Sequence, residues 1–207
     1  MVLISTNVVG AQWDESALSQ HADCPTPTTN RGGICVLEAD VTLTNTLILP
    51  SYTHLNCQGH KVLPQMVGTP DNRDTSANEY RSSIPHVAIL VRSAVGAKVQ
   101  NCVIGDPAHP FDFGIYILDS KRPDGTKAKG NKVLHNDITT RSVGVTIMRS
   151  DDNVISGNHV SFGIDTSSVG IAVIRNSDNN IVEDNLVEAP SLNQRNKVPS
   201  FPQDPVP

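Results

Sequence analysis

Residues 131–138 read NKVLHNDI, and two later segments repeat this pattern without gaps. The repeats are NVISGNHV at 153–160 and NIVEDNLV at 180–187, so the starts are 22 and 27 residues apart. A second motif advances with the first: GIYI begins at Gly114, GVTI at Gly144 and GIAV at Gly170, at spacings of 30 and 26 residues. Two motifs that advance together mark one repeating unit, and a period of roughly 20–50 residues is typical of stacked repeat architectures.

Each unit contains three short runs of alternating apolar and polar residues, separated by Asn, Gly or Ser. Alternation between turn-forming residues predicts strands. We therefore predict an all-β fold, a single-stranded right-handed parallel β-helix. It would be a solenoid of three-strand coils in which each strand lies about 4.8 Å from its copy in the next coil. The aliphatic rows Val133/Ile155/Val182 and Ile138/Val160/Val187 would then form the core.

Asn136, Asn158 and Asn185 occupy the same place in the three repeats. Asparagine tolerates the left-handed backbone conformation that a tight corner needs, and its side-chain amide can bond to copies of itself above and below. We predict a structural asparagine ladder at one corner. We expect the glycines of the second motif to mark the opposite corner.

The composition limits the classes of partner. The chain has 207 residues, enough for one domain, with 4% aromatic residues, 18% charged residues and a formal net charge of −5. This charge argues against nucleic-acid binding over the whole surface, although a local basic patch remains compatible with it. No segment reaches the roughly 18 apolar residues of a membrane span, and the first residues do not form an evident signal peptide.

The four cysteines allow one short disulfide. Cys24 and Cys35 bracket a loop rich in Pro, Thr and Gly, and the sequence leaves open whether they pair or stay as free thiols. Cys57 and Cys102 look separate. No cysteine or histidine has the spacing of a metal site, and no cofactor is indicated.

The segment LILPSYTHLNCQGHKV at 47–62 and the repeated N-x-V-x-x-N-x-V pattern resemble the pectate-lyase-like superfamily of right-handed parallel β-helix repeat proteins. The resemblance covers residues 34–190. It implies the β-helix fold and, for many members, extracellular work on carbohydrates. It implies no single activity, because lyases, hydrolases, epimerases and adhesins share the repeat.

We divide the chain into three parts on this basis. Residues 1–33 are expected to form an N-terminal arm with a short capping helix at 12–21, and residues 34–189 the β-helix. Residues 190–207 are a Pro-rich C-terminal tail, which either shields the last coil or leaves it open to a partner or a continuation of the chain.

Long loops at 63–86, 105–113 and 119–130 flank the strands of the second motif, so their outward face is expected to be a walled groove. Alternation places Tyr116, Thr146 and Ala172 on its floor. The expected substrate-binding residues are polar or charged groups at the strand exits and on the flanking loops. Asp119 and Arg175 are in register with Arg149, and Arg92 is near the same line. Asp112 comes from the loops on one side, which also carry His86, and Lys121 and Arg122 come from the loop on the other side. A column of guanidinium groups would suit an acidic polysaccharide.

A lyase needs a group that neutralises the uronate carboxylate, a base and an acid. Arg149, or alternatively Arg175, would be the neutraliser, and His109 and Tyr116 the base and acid. The competing interpretation is structural: an exposed charge ladder, a histidine that shapes a Pro-rich loop and a tyrosine that covers the core. A further outward row, Lys61/Cys102/Asp137/His159, is interpreted as surface.

The sequence lacks the clustered carboxylates of a glycoside hydrolase or of a calcium-dependent lyase. Our leading hypothesis is an exported β-helix, secreted or at the cell surface or in the periplasm, that binds an acidic polysaccharide and cleaves it if it is an enzyme. The alternatives are a non-catalytic structural or adhesive β-helix, homo-oligomeric through its C-terminal end, and an inactive fragment of a larger protein.

Overall fold

The computed structural model describes residues 24–67, 82–120, 130–162 and 168–188, and these residues contain strands and no helix. The strands fall into three stacks. The first stack comprises β1 (Thr29–Arg31), β2 (Ile34–Val36), β5 (His54–Asn56), β9 (Lys98–Gln100), β12 (Lys132–Leu134), β14 (Val154–Ser156) and β17 (Ile181–Glu183). The second comprises β3 (Val41–Leu43), β6 (Lys61–Val67), β10 (Val103–Ile104), the first part of β13 (Asp137–Met148), β15 (His159–Phe162) and β18 (Leu186–Glu188). The third comprises β4 (Leu47–Ile48), β8 (Val87–Arg92), β11 (Phe111–Leu118), the second part of β13, and β16 (Val169–Ile174).

The chain visits the three stacks in the same order on every turn. β5, β6 and β8 make one turn, and β9, β10 and β11 make the next. Each strand pairs in parallel with its counterpart in the neighbouring turn, as the repeat predicted. The two antiparallel pairs described are β1 with β2 and β6 with β7 (Ser82–Ile84), which forms an arm outside the stacks.

The predicted aliphatic rows form the core. Val133 pairs in register with Ile155, and Ile155 with Val182. Ile138, Val160 and Val187 are aligned in the same way in the second stack. The members of these rows in the inner turns are completely buried, whereas those of the last turn are not. Burial of each row thus depends on a neighbouring turn.

Asn136, Asn158 and Asn185 form the predicted ladder. The Nδ2 of Asn136 donates to Oδ1 of Asn158 at 2.9 Å, and the Nδ2 of Asn158 donates to Oδ1 of Asn185 at 2.9 Å. The same oxygens accept the backbone N–H of the preceding turn's asparagine at 3.0 Å. Each buried amide therefore satisfies both side-chain and backbone groups.

A second ladder runs along the other end of the first stack. Asn131 donates through Nδ2 to Oδ1 of Asn153 at 3.0 Å, and Asn153 donates likewise to Asn180 at 2.8 Å. These asparagines are the first residues of the three quoted repeats. Both corners that bound the first stack are thus held by stacked amides.

The backbone at the first ladder differs from the prediction. The residues with positive φ are the preceding ones, His135, Gly157 and Asp184, at 54°, 65° and 53°. The asparagine side chain must point into the interior to reach the next turn. The residue before it faces outward and makes the change of direction, so the left-handed conformation belongs to that residue.

The expectation for Gly114, Gly144 and Gly170 is also wrong. They lie inside β11, β13 and β16, and none has a positive φ. A Cβ on Gly144 would lie 2.6 Å from the backbone oxygen of Gly170, and one on Gly170 would lie 2.6 Å from Val187 Cγ1. Glycine is required here because the backbone of one turn and the side chains of the next approach too closely for a methyl group.

The four described cysteines form two disulfides, Cys24–Cys35 and Cys57–Cys102, with Cα–Cα distances of 5.3 and 4.7 Å. The first pairing was left open by the sequence. The expectation that Cys57 and Cys102 are separate is wrong, because 45 residues of chain correspond to one turn and bring them onto neighbouring turns. The backbone N–H of Cys102 donates to Oδ1 of Asn136 at 3.0 Å, so this disulfide continues the asparagine ladder.

The expected capping helix at 12–21 and the tail at 190–207 lie outside the described residues. At the N-terminal end of the first stack, the antiparallel strand β1 covers the edge of β2. Among the described residues, no helix has the length and apolar character needed to span a membrane.

We expect Asn158→Ala to lower the free energy of unfolding by about 2–4 kcal/mol, because it leaves buried backbone and side-chain groups of two neighbouring turns without partners. Urea unfolding measures the change. Asn45→Ala is the matched control, since the exposed Asn45 amide reaches only the Thr44 hydroxyl, at 3.4 Å. Equal effects of the two substitutions would contradict a structural role of the ladder.

We expect removal of the Cys57–Cys102 disulfide by two Cys→Ala substitutions to destabilise the fold by roughly 2–5 kcal/mol, because it closes a long loop. The Cys24–Cys35 disulfide spans 11 residues instead of 45, so its removal should lower the free energy of unfolding by about 1 kcal/mol less. Denaturant unfolding of both double variants tests the order. The reverse order would show that loop closure is not the main contribution.

Candidate functional site

The outward face of the third stack, which we call the GIxI face, has the predicted register. Tyr116 pairs with Leu90 on one side and Thr146 on the other, and Thr146 pairs with Ala172. The next outward row is Arg92, Leu118, Met148 and Ile174. The floor is consequently mostly apolar. This was not predicted from the sequence, although the same register identifies these residues.

Tyr116 is half-buried within this floor. Its ring meets the ring of Phe113 edge to face, with 6.3 Å between the centroids. Its hydroxyl group lies 3.7 Å from Met148 Sδ in the next turn. Tyr116 thus presents an aromatic surface with a polar tip, a combination suited to ligands that are partly apolar and partly hydroxylated.

The strands of the GIxI face end at a corner with a left-handed backbone. Ser93, Asp119, Arg149 and Arg175 have φ values of 50°, 53°, 50° and 54°. Because four successive turns share this conformation, it belongs to the architecture and does not mark a strained catalytic residue. The serines that follow form a ladder in which Ser120 and Ser150 donate their backbone N–H groups to Ser150 Oγ and Ser177 Oγ.

Arg149 and Asp119 form the central contact at this corner. Arg149 Nε donates to Asp119 Oδ1 at 2.5 Å, and both side chains are partly exposed. The hydrogen bond from Arg149 lowers the pKa of Asp119 below its ordinary value, and the pKa of Arg149 is raised in turn. A carboxylate with a lowered pKa is a weak proton acceptor at neutral pH, so Asp119 suits binding better than proton transfer.

Two further arginines lie along the corner. Arg92 is in register with Leu118, one residue from the expected line, but its charge still contributes to lowering the pKa of Asp119. Arg175 accepts the backbone N–H of Arg149 through its carbonyl oxygen at 3.1 Å. The Arg175 side chain is exposed and has no ion pair within the part of the chain that the structure describes.

His109 lies in the turn between β10 and β11 and contacts Asp106. Its Nδ1 is 3.1 Å from Asp106 Oδ1, which also accepts the backbone N–H groups of Ala108 and His109. Partial burial raises the pKa of Asp106, but the hydrogen bonds from His109 and Ala108 outweigh it and lower the pKa overall. Asp106 Oδ2 lies 3.5 Å from Lys61 Nζ, on the second stack. His109 is thus held in a loop-shaping contact.

The structure does not bring all the sequence-predicted residues together. Asp119 and Arg149 are in contact, and Tyr116 is close enough to contribute to raising the pKa of Arg149. Asp112 instead pairs with His86, and His109 pairs with Asp106. Lys121 and Arg122 lie outside the described residues.

The other outward row also needs correction. Val103, and not Cys102, pairs with Lys61 and Asp137, and Cys102 is buried in its disulfide. His159 follows Asp137 in register and lies 3.2 Å from both Asp137 Oδ1 and Glu188 Oε2. The sequence placed His159 and Asp137 correctly but missed the contact with Glu188. No group of three or more His, Cys, Asp or Glu residues in the described ranges is arranged to hold a metal ion.

Comparison with protein families gives one match, to the family described as the right-handed β-helix region, over residues 74–191. This match covers more than half of the chain. The chain belongs to this family. Comparison with curated proteins and with solved structures finds no significant match.

Membership of this family agrees with the parallel strand pairing and the stacked turns of the structure. It does not extend to the narrower pectate-lyase-like resemblance, and it identifies no reaction, since β-helix folds carry many functions. The chemistry of this β-helix must therefore be inferred from the GIxI face itself.

We expect Arg149→Asn, which keeps a residue that tolerates positive φ, to raise the pKa of Asp119 towards its ordinary value. The ion pair stabilises the fold at pH values above the ordinary carboxyl pKa of about 4, and this contribution is lost as the pH falls through the lowered pKa. NMR titration of the Asp119 carboxyl group measures the shift. Arg175→Asn is the control and should not change the pKa of Asp119. If Arg149→Asn also left this pKa unchanged, the hydrogen bond from Arg149 would not be the cause of the lowered value.

Proposed function

We propose that this protein is an exported, carbohydrate-binding β-helix, one right-handed solenoid of three-strand coils, that binds an acidic polysaccharide along the GIxI face. The observation that carries the proposal is the arginine column at the strand exits, in which Arg149 and Arg175 lie in register on adjacent turns and Arg92 lies close to the same line two turns before Arg149. Asp119 offsets only one of these three charges. These three positive charges lie on a chain whose formal net charge is −5.

The repeat of the fold supports an extended ligand. Neighbouring turns are about 4.8 Å apart, so Arg149 and Arg175 present guanidinium groups at a regular short interval. Planar guanidinium donors bind carboxylate and sulfate groups through paired hydrogen bonds. A polymer with regularly spaced anionic groups is the ligand class that best matches such a column.

The apolar floor supports a carbohydrate ligand in particular. A sugar ring has hydroxyl groups at its edge and C–H groups on its faces. Tyr116 offers an aromatic surface beside the Arg149–Asp119 pair, whose remaining donor and acceptor atoms suit hydroxyl groups. The combined surface is that of a binding face.

Lyase-type elimination remains the finer hypothesis. It requires a base and an acid close to the group that neutralises the carboxylate. His109, the proposed base, contacts Asp106 in the described structure, and Asp119 has a lowered pKa. Binding thus has more support than cleavage, and one experiment can measure both.

Export is supported by the two disulfides, because such bonds persist in secreted, periplasmic or cell-surface proteins and are rare in the cytosol. The alternative function is a structural or adhesive β-helix that forms homo-oligomers through its C-terminal end. The exposed apolar side chains of the last turn favour it. It requires that nothing in the chain covers that turn.

We expect the double variant Arg149→Asn/Arg175→Asn to bind soluble polyuronates at least about tenfold more weakly, because it removes two of three ligand-facing charges. Affinity electrophoresis in gels containing polyuronates or neutral glucans measures binding. Lys98→Asn/Lys132→Asn, which removes two positive charges from the first stack, is the matched control and should bind almost as the parent does.

Binding should also weaken as salt is added, since the column is exposed. Ultraviolet absorbance of the same mixtures detects unsaturated chain ends and therefore elimination. If no acidic glycan is retarded, or if the control variant loses as much affinity as the arginine variant, the GIxI face is not the binding site.

A further inference from the structure

The last turn of the β-helix exposes apolar side chains that are buried elsewhere. The exposed large hydrophobic residues of the described chain are Ile48 and seven residues of β16, β17 and β18: Val169, Val173, Ile174, Ile181, Val182, Leu186 and Val187. Val182 and Val187 are 44% and 47% exposed, whereas Ile155 and Val160, their partners one turn earlier, are fully buried. Val182 and Val187 are exposed at the end of the stack because the described residues contain no turn after β18.

The uncovered end has a defined shape and charge. It forms a hollow of about 400 Å³ lined by Ile171, Val182 and Val187, with Glu183 and Asp184 at its margin. Glu188, at the end of β18, adds a third acidic group. We call Glu183, Asp184 and Glu188 the acidic rim.

The acidic rim argues against a second copy of the chain as the cover. Two identical ends meeting about a two-fold axis would bring their acidic rims together. Like charges brought into a partly desolvated interface repel each other. A suitable cover would be apolar and basic.

The segment that follows β18 has these properties. Residues 190–201 contain Leu192, Val198 and Phe201 together with Arg195 and Lys197, and no acidic residue. Pro190 and Pro199 lack a backbone donor, so the segment can cover strand edges without offering a new continuous edge.

Length and linkage also suit this segment. Twelve extended residues span up to about 40 Å, and a six-residue strand such as β16 about 20 Å, so the segment can cross the end of the stack. Because it begins two residues after β18, its effective concentration at the hollow is high, on the order of millimolar.

We propose that residues 190–201 lie across the end of the last turn as a cap. Leu192, Val198 and Phe201 cover the hollow, and Arg195 and Lys197 pair with the acidic rim. This inference goes beyond the proposed function and does not depend on glycan binding. It gives the tail a specific role in closing the β-helix.

Hydrogen exchange followed by mass spectrometry tests the cap. One variant ends at Ala189, and a second replaces residues 190–207 by a Gly/Ser segment of equal length. We expect amides of β17 and β18 to exchange at least about tenfold faster in both variants than in the full chain, because the cap restricts local opening. Amides of β5 and β9 serve as internal controls and should not change.

Light scattering on the same samples identifies the occupant. The full chain should be a monomer, and the shortened chain should self-associate through its uncovered end. Unchanged exchange in β17 and β18 would overturn the cap. A full chain that is a dimer, with exchange in these strands that rises on dilution, would also overturn it and identify a second copy as the cover.

Charge reversal provides a test in which the chain length is constant. Arg195→Glu and Glu183→Lys should each accelerate exchange in β17 and β18, and their combination should restore slow exchange. Lys98→Glu/Lys132→Glu, on the side of the first stack, is the matched control and should not affect these strands. If the combined variant exchanges in β17 and β18 as fast as the two effects added together, the tail and the acidic rim do not pair.

Discussion

The structure depends on one constraint: each turn must lie directly over the next, so that the polar groups buried at the corners find partners. An unpaired buried amide or backbone group is costly. The ladders from Asn136 to Asn185 and from Asn131 to Asn180 satisfy this requirement by using the same residue type on every turn. Buried serines do the same at the third corner, and the Cys57–Cys102 disulfide replaces the amide contact in the earlier turns.

The same constraint creates the candidate site. Because successive turns are in register, any residue that occurs at an outward position in several turns becomes part of a column. Arg149 and Arg175 are brought onto adjacent turns in this way, and Arg92, two turns before Arg149, lies one position from the same line. The face proposed to bind a ligand is therefore repetitive, unlike an enclosed catalytic pocket.

Stacking also makes the two ends different from the middle. An inner turn buries its aliphatic row against neighbours on both sides, whereas Val182 and Val187 have a neighbour on only one side. At the other end, β1 pairs antiparallel with β2 and is held near it by the Cys24–Cys35 disulfide. The described residues contain no turn that covers Val182 and Val187, and the cap that we propose for residues 190–201 would supply this cover.

The sequence by itself determined the all-β repeat, the aliphatic rows, the asparagine ladder and the alignment of Tyr116 with Thr146 and of Asp119 with Arg149. These follow from periodicity, because a regular repeat converts spacing in sequence into position on a face. Only the tertiary structure decided that Cys57 is bonded to Cys102 and that His109 contacts Asp106. It also decided that the glycines of the second motif lie within strands, where a side chain would collide with the next turn. These features depend on irregular corners and loops, where a difference of one or two residues changes which side chains meet.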